Sequence, residues 1–96
     1  MRTVPSRAEI LRGIVSLLES HLGVHSPGAI DEDTRFFADL GLASIDAVVL
    51  SEALQQHYDR SLPFHELMAE IGRRTERDLS MGELVTFLGQ HLGSRP

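Results

Sequence analysis

Ser44 is the residue whose type and surroundings are best suited to chemistry in this sequence. It lies in the stretch GLASIDAV, residues 41–48, between an acidic segment and a run of apolar residues at helical spacing. A hydroxyl at a helix start lies beside unpaired backbone N–H groups and the positive end of the helix dipole, which together favour an attached phosphate. Ile45 and Asp46 add an apolar contact and a charge for a partner. The pattern fits a serine that another enzyme modifies, and it also fits a simple helix cap.

The other polar residues form no pattern that is typical of catalysis or metal binding. The chain has five histidines and no cysteine, so disulfides and thiolate metal sites are excluded. No two of the histidines form a ligand pair on one face of a predicted helix. A serine nucleophile needs a base within hydrogen-bond reach and donors for an oxyanion, and the neighbours of Ser44 supply neither. We therefore predict no catalytic residue and no metal ligand.

Four helices are predicted to position Ser44. The first begins at a capping box, Ser6 with Glu9, and ends at Gly23. The second begins with Ser44 as its N-cap and extends to about Tyr58. Both carry apolar residues at the three-and-four spacing that is typical of amphipathic helices.

The second half of the chain contains one short helix and one further main helix. After a break at Leu62-Pro63, apolar residues from Phe64 to Ile71 predict the short helix. A second capping box, Ser80 with Glu83, begins the last helix.

The predicted fold is all-α, a four-helix bundle with three main helices, one short helix and a long loop between helices 1 and 2. The loop, residues 24–43, has a turn at Pro27-Gly28 and enough apolar residues to pack on the helices. One domain is expected over residues 6–92. Residues 1–5 and 93–96 are expected to be flexible tails.

The second helix is predicted to have two different faces. Its core stripe consists of Ala47, Leu50, Leu54 and Tyr58. Ile45 and Val49 begin another face, and we expect both to be exposed beside Ser44 as a contact surface. We further expect four residues to be largely buried, namely Leu50, Leu54, Phe87 and Leu88.

Charge is distributed unevenly over the 96 residues. The net charge is −5, and residues 31–59 hold seven acids against one arginine, whereas residues 1–30 hold two acids and three arginines and residues 60–96 hold five of each. An acidic surface around Ser44 would repel a nucleic-acid backbone and attract a basic protein partner. No apolar run is long enough for a signal peptide or a membrane span. We therefore expect a cytoplasmic monomer that binds neither nucleic acid nor membranes.

The stretch FADLGLASIDAV, residues 37–48, resembles the phosphopantetheine attachment region of the acyl carrier proteins. That family shows a similar D-L-G-x-x-S-(L/I)-D-x-V stretch followed by an amphipathic helix. Leu62-Pro63 and the later stretch DLSMGEL, residues 78–84, are similar to the segments that precede its short third helix and begin its last helix. The similarity extends over residues 10–92, so it implies a four-helix bundle of the acyl carrier type.

The resemblance implies a carrier that catalyses nothing itself. Ser44 would receive 4′-phosphopantetheine from coenzyme A through a separate phosphopantetheinyl transferase, and the terminal thiol of this arm would hold acyl groups as thioesters. Further partners would be acyl-loading and acyl-processing enzymes, such as a ketosynthase, an acyltransferase or a ligase. The residues that the resemblance implies for partner recognition are Asp39, Leu42, Ile45, Asp46, Val49 and Glu52.

Two departures from the family pattern favour a specialised pathway, such as polyketide biosynthesis. Ala43 stands where the family often has Asp before the serine, and the acids of the second helix are only Asp46 and Glu52. Three alternatives remain open. The first is an aminoacyl or peptidyl carrier of the nonribosomal type. The second is an unmodified helical interaction module in which Ser44 is only a cap, and the third is a small hydrolase that pairs Ser44 with a histidine.

Overall fold

Four α-helices make up the part of the chain that this computed structural model describes, residues 5–24 and 30–92. They are α1 (Arg7–Leu22), α2 (Ser44–Tyr58), α3 (Phe64–Gly72) and α4 (Met81–Leu92). Within the described ranges, β-type pairing is limited to one isolated bridge between Arg35 and Ser80. The predicted all-α bundle, with a short third helix and a long loop before α2, is confirmed.

The predicted turn in the first loop and most of the predicted tails fall on residues that the structure does not describe. The predicted turn at Pro27-Gly28 lies outside the described residues, as do residues 1–4 and 93–96 of the predicted tails. Among the described helices, none combines the length and the apolar character that crossing a membrane requires.

Both predicted capping boxes are present. Before α1, the Ser6 hydroxyl accepts the Glu9 N–H at 3.1 Å and the Glu9 carboxylate accepts the Ser6 N–H at 2.8 Å. Ser80 and Glu83 make the same pair of bonds before α4, at 3.1 and 3.0 Å. Gly23 ends α1 in the left-handed conformation, at φ 64°, which glycine adopts without steric cost. These local bonds fix where α1 and α4 begin and where α1 ends.

An apolar core fills the space between the helices, and α1 contacts both α2 and α4. The four residues predicted to be buried are buried: Leu50, Leu54, Phe87 and Leu88. Ala47 and Tyr58, which were also assigned to the core stripe, are half-buried at its margin. Ala53 is the buried α2 residue that the stripe omits, because it lies on the side of Leu50 and Leu54 that faces away from Ala47.

The described part of the α1–α2 loop, residues 30–43, packs on the bundle and is joined to the start of α4. Phe36 is buried and meets Phe37 edge-on, with ring centroids 5.0 Å apart. Arg7 of α1 makes two hydrogen bonds to the Glu32 carboxylate, at 2.6 and 3.1 Å. Three backbone bonds of 2.8 Å join the loop to the start of α4: Phe36 N–H to Leu79 O, Met81 N–H to Thr34 O, and Gly82 N–H to Glu32 O.

Candidate functional site

Ser44 is the first residue of α2, and it is exposed. The N-cap is Ala43, at φ −110° and ψ 173°, so the prediction that Ser44 caps the helix is wrong. Asp46 takes over part of the cap, because its Oδ2 accepts the Ala43 N–H at 2.8 Å. Within the described residues, the Ser44 hydroxyl makes no hydrogen bond to another group of the chain. The helix therefore does not use the hydroxyl that the sequence places at its start.

The first turn of α2 leaves backbone donors beside this hydroxyl. The Ala43 carbonyl accepts the N–H groups of Asp46 and Ala47, at 3.0 and 3.3 Å. The N–H groups of Ser44 and Ile45 have no partner among residues 5–24 and 30–92, as expected at the start of a helix. Together with the positive end of the helix dipole, these donors suit a phosphate joined to the Ser44 Oγ. The residues present fit a group that is linked through a phosphate.

A hydrogen-bonded turn leads the chain to Ser44. The Asp39 Oδ2 accepts the Arg35 N–H at 2.8 Å, and the Arg35 carbonyl accepts the Asp39 N–H at 3.1 Å. Gly41 follows at φ 68°, a conformation that favours glycine, and its N–H donates to the Phe37 carbonyl at 3.0 Å. Asp39 is exposed, but one oxygen of its carboxylate is engaged in closing this turn.

The face of α2 beside Ser44 carries two exposed apolar side chains. Ile45 is 66% exposed and Val48 is 50% exposed, and they lie one helical turn apart. Val49, which was expected to be exposed, is half-buried. A helix turns by about 100° per residue, so Val48 is only about 40° from Ser44 around the axis, whereas Val49 is about 140° away and borders the core. Sequence reasoning missed Val48, although the four-residue step from Ser44 pointed to it.

The remaining residues predicted for partner recognition differ in exposure. Glu52 is exposed one turn beyond Val48, so the face continues from apolar to acidic. Leu42 is half-buried and packs against the core. Asp46 is also half-buried, and its carboxylate accepts the Ala43 N–H. No lysine or arginine occurs in α2, so the surface beside Ser44 has no positive side chain of that helix.

The described part of the chain has neither a cluster of metal ligands nor a histidine bonded to Ser44. Residues 5–24 and 30–92 contain no group of three metal-ligating side chains. In the same ranges, no histidine donates to or accepts from the Ser44 hydroxyl. What surrounds Ser44 is a set of helix donors, an apolar pair and acids.

Comparison with known proteins identifies the family. Residues 12–72, which include α2 and the loop before it, match the family model described as a phosphopantetheine attachment site. An acyl carrier protein of Prochlorococcus marinus (strain MIT 9515) is 38% identical over 58 residues, which cover 60% of this chain and 71% of the relative. No solved structure matches the chain. The chain therefore belongs to the acyl carrier family of phosphopantetheine-binding proteins, whose cofactor is a covalently attached 4′-phosphopantetheine.

Proposed function

We propose that Ser44 receives the 4′-phosphopantetheine and that the chain carries acyl groups in polyketide or other specialised biosynthesis. The observation that carries the proposal is the exposed Ser44 hydroxyl, which begins α2 without serving as its cap. A phosphopantetheinyl transferase would join the Ser44 Oγ to the pantetheine-bearing phosphorus of coenzyme A. The diphosphate bond breaks, the adenosine-bearing phosphate leaves, and the hydroxyl proton passes to a base of the transferase. When attached, the arm supplies a thiol on which acyl groups are held as thioesters.

The residues of this chain bind and orient, and none of them is proposed to be catalytic. The N–H groups of Ser44 and Ile45, which have no partner in the described residues, would bind the phosphate oxygens. The transferase performs the attachment, and a ketosynthase, acyltransferase or ligase loads and processes the acyl group. A carrier contributes by tethering its cargo, which raises the effective concentration of the cargo at each enzyme.

The proposed recognition surface is the exposed face of α2 together with the turn that precedes it. It includes Asp39, Leu42, Ile45, Asp46, Val49 and Glu52, and the exposure of Val48 adds that residue. Ile45 and Val48 offer apolar contact area, and Glu52 and Asp39 offer negative charge to a basic partner. Half-buried Val49 and Leu42 contribute less contact area than the two exposed apolar residues.

An aminoacyl or peptidyl carrier is the second candidate, and the residue that favours it is Ala43. Ala43 is exposed and uncharged next to the proposed attachment residue, which reduces the negative charge that acyl-processing partners would meet. Loading tests on the modified protein separate the candidates, with an acyl-activating ligase in one arm and an amino-acid-activating enzyme in the other. We place either carrier in the cytoplasm, as a monomer, and cell fractionation with sedimentation tests both statements.

Intact-protein mass spectrometry tests the attachment residue. The protein is incubated with coenzyme A and a broad-specificity phosphopantetheinyl transferase, with Ser44→Ala and Ser51→Ala alongside. Ser51 is a matched control because it lies on α2, but its hydroxyl already donates to the Val48 carbonyl at 2.8 Å. We expect one phosphopantetheine on the wild type and on Ser51→Ala, and none on Ser44→Ala. Modification of Ser44→Ala would refute the assignment, and an unmodified wild type with transferases active on other carriers would favour the interaction module.

A further inference from the structure

We propose that Asp78 is a positioning residue for Ser44, because its side chain holds the turn before α2. The inference depends on the proposed function, because it assigns Asp78 a role in presenting Ser44 to the transferase. Asp78 lies in the segment between α3 and α4 and is half-buried. It is separated from Ser44 by most of the second half of the chain, and no local sequence pattern links the two residues.

The Asp78 carboxylate binds two successive backbone N–H groups of the α1–α2 loop. Its Oδ1 accepts the Phe37 N–H at 3.0 Å, and its Oδ2 accepts the Ala38 N–H at 3.1 Å. The Leu79 N–H also donates to Oδ1, at 2.8 Å, which orients the carboxylate. Charge-assisted bonds of this kind are stronger than those between neutral groups. Both oxygens of one side chain thus hold the loop at the start of its turn.

The hydrogen bonds continue from Phe37 toward Ser44. Both backbone polar groups of Phe37 are hydrogen-bonded. Its N–H donates to Asp78, and its carbonyl accepts the Gly41 N–H at 3.0 Å. The Phe36 carbonyl accepts the Leu42 N–H at 3.3 Å. Two residues later the chain enters α2 at Ser44. The position of the turn, and with it the entry of the chain into α2, therefore depends on the groups that Asp78 binds.

The setting of Asp78 keeps it ionised and in place. Partial burial opposes ionisation, but the N–H groups of Phe37, Leu79 and Ala38 and the charge of Arg35 outweigh it, so the pKa of Asp78 lies below its ordinary value. The side chains that line the same surface depression are Arg35, Arg74, Glu76, Ser80 and Glu83. Arg74 also donates to the Asp78 carbonyl at 3.1 Å, which holds the backbone of this residue.

Replacing Asp78 should loosen the turn without unfolding the bundle. The backbone bonds between Phe36 and Leu79, and between Thr34 and Met81, use no atom of the Asp78 side chain. Asp78→Asn has nearly the same shape, but its amide turns one acceptor into a donor that faces an N–H group. The loss of one charge-assisted bond corresponds to a roughly tenfold effect on the population of the held turn.

The test measures the rate of modification together with the state of the turn. Transferase kcat/KM is determined for the wild type, Asp78→Asn, Asp59→Asn and Ile14→Val. Asp59→Asn removes the same charge at an exposed left-handed position that Asn tolerates, and Ile14→Val weakens the core at a buried residue of α1. Amide exchange and the pH titration of the Phe37 and Ala38 N–H resonances are recorded in parallel, because they report on the turn whether or not a transferase acts.

We expect kcat/KM to fall about tenfold in Asp78→Asn and to stay within about twofold in Asp59→Asn and Ile14→Val. Exchange at Phe37, Ala38 and Gly41 should accelerate, while exchange at the α4 amides stays slow. The Phe37 and Ala38 resonances should titrate with the carboxylate in the wild type and in both control variants, which retain Asp78, but not in Asp78→Asn. A folded Asp78→Asn that is modified at the wild-type rate, or an equal loss in Ile14→Val, would overturn the inference. If no wild-type chain is modified, the proposed function has failed, and unchanged exchange in Asp78→Asn would separately refute the role in the turn.

Discussion

At the scale of single residues, the side chain that bonds to the start of α2 is that of Asp46 and not that of Ser44. Asp46 accepts the Ala43 N–H, and Ser44 keeps its hydroxyl exposed at the first helical residue. Ala43 has no side-chain oxygen, so the N–H groups of the first turn receive no cap from the N-cap position. A helix that is left incompletely capped in this way gives up some stability and keeps its donors available for a ligand.

Ala43→Ser should restore the missing cap. A serine at an N-cap accepts an N–H of the first turn, so we expect the free energy of unfolding to rise by about 0.5–1 kcal/mol. Urea denaturation followed by circular dichroism measures the change. Ala38→Ser is the control, because Ala38 is exposed in the loop and begins no helix. An equal gain in both variants would show that the gain does not come from capping α2.

At the scale of the helices, local hydrogen bonds explain what could be predicted from the sequence. The capping boxes of α1 and α4 join residues three positions apart, so Ser6 with Glu9 and Ser80 with Glu83 can be identified directly. The start of α2 was predicted one residue late, because the cap depends on the backbone conformation at Ala43. The sequence predicted Val49 to be exposed, but the exposed valine is Val48. The burial of a residue at the edge of a helix face depends on the segments that pack against it, and the sequence does not give these.

The exposed pair on α2 should contribute to partner binding and little to stability. Ile45→Ala and Val48→Ala remove apolar area that is largely solvent-exposed, so each should leave the free energy of unfolding within about 0.5 kcal/mol of the wild type. Each should raise the KM of the transferase about fivefold, as expected if the side chain contributes about 1 kcal/mol to a desolvated contact. Leu54→Ala is the contrasting variant, because Leu54 is fully buried and its truncation should destabilise the bundle by about 2–5 kcal/mol. Unchanged KM values for both surface variants would place the contact elsewhere.

At the scale of the whole molecule, three carboxylates join separate segments and make stability depend on pH. The hydrogen bond from Arg7 lowers the pKa of Glu32. Burial would raise the pKa of Glu83, but bonds from Arg74 and Ser80 outweigh it and lower the pKa. The pKa of Asp78 is lowered in the same direction by the N–H groups that it binds. A carboxylate with a lowered folded pKa stabilises the fold above its unfolded pKa, and this stabilisation is lost as the pH falls through the folded value.

We therefore expect the urea midpoint to be constant near neutral pH and to fall as the pH drops below about 4.5. Asp78→Asn should flatten this decline. The carboxyl group of Asp78 takes up a proton when the chain unfolds in acid, and the variant lacks this group. A midpoint that does not change down to about pH 3 would show that these carboxylates do not stabilise the folded chain.

The contacts that order the site could not be predicted from the sequence, because they join distant residues. Asp78 lies 40 and 41 positions from the two N–H groups that it binds, and Glu32 lies 25 positions from Arg7. The resemblance to acyl carriers predicts Ser44 as the attachment residue, but it says nothing of these bonds. Neither hydropathy nor capping signals carry information about pairs so far apart.

The long separation of these partners also bears on when the site forms during synthesis. The segments α1 and α2 emerge first, but the groups that hold the loop between them lie at residues 78–82. Such non-local pairings carry a large loop-closure cost and form after local helices. A nascent chain that ends before Asp78 contains Ser44 and lacks the groups that bind the turn before α2. Under the proposed role of Asp78, presentation of Ser44 is thus tied to completion of the fold, and we expect an unfinished chain to be a poor acceptor.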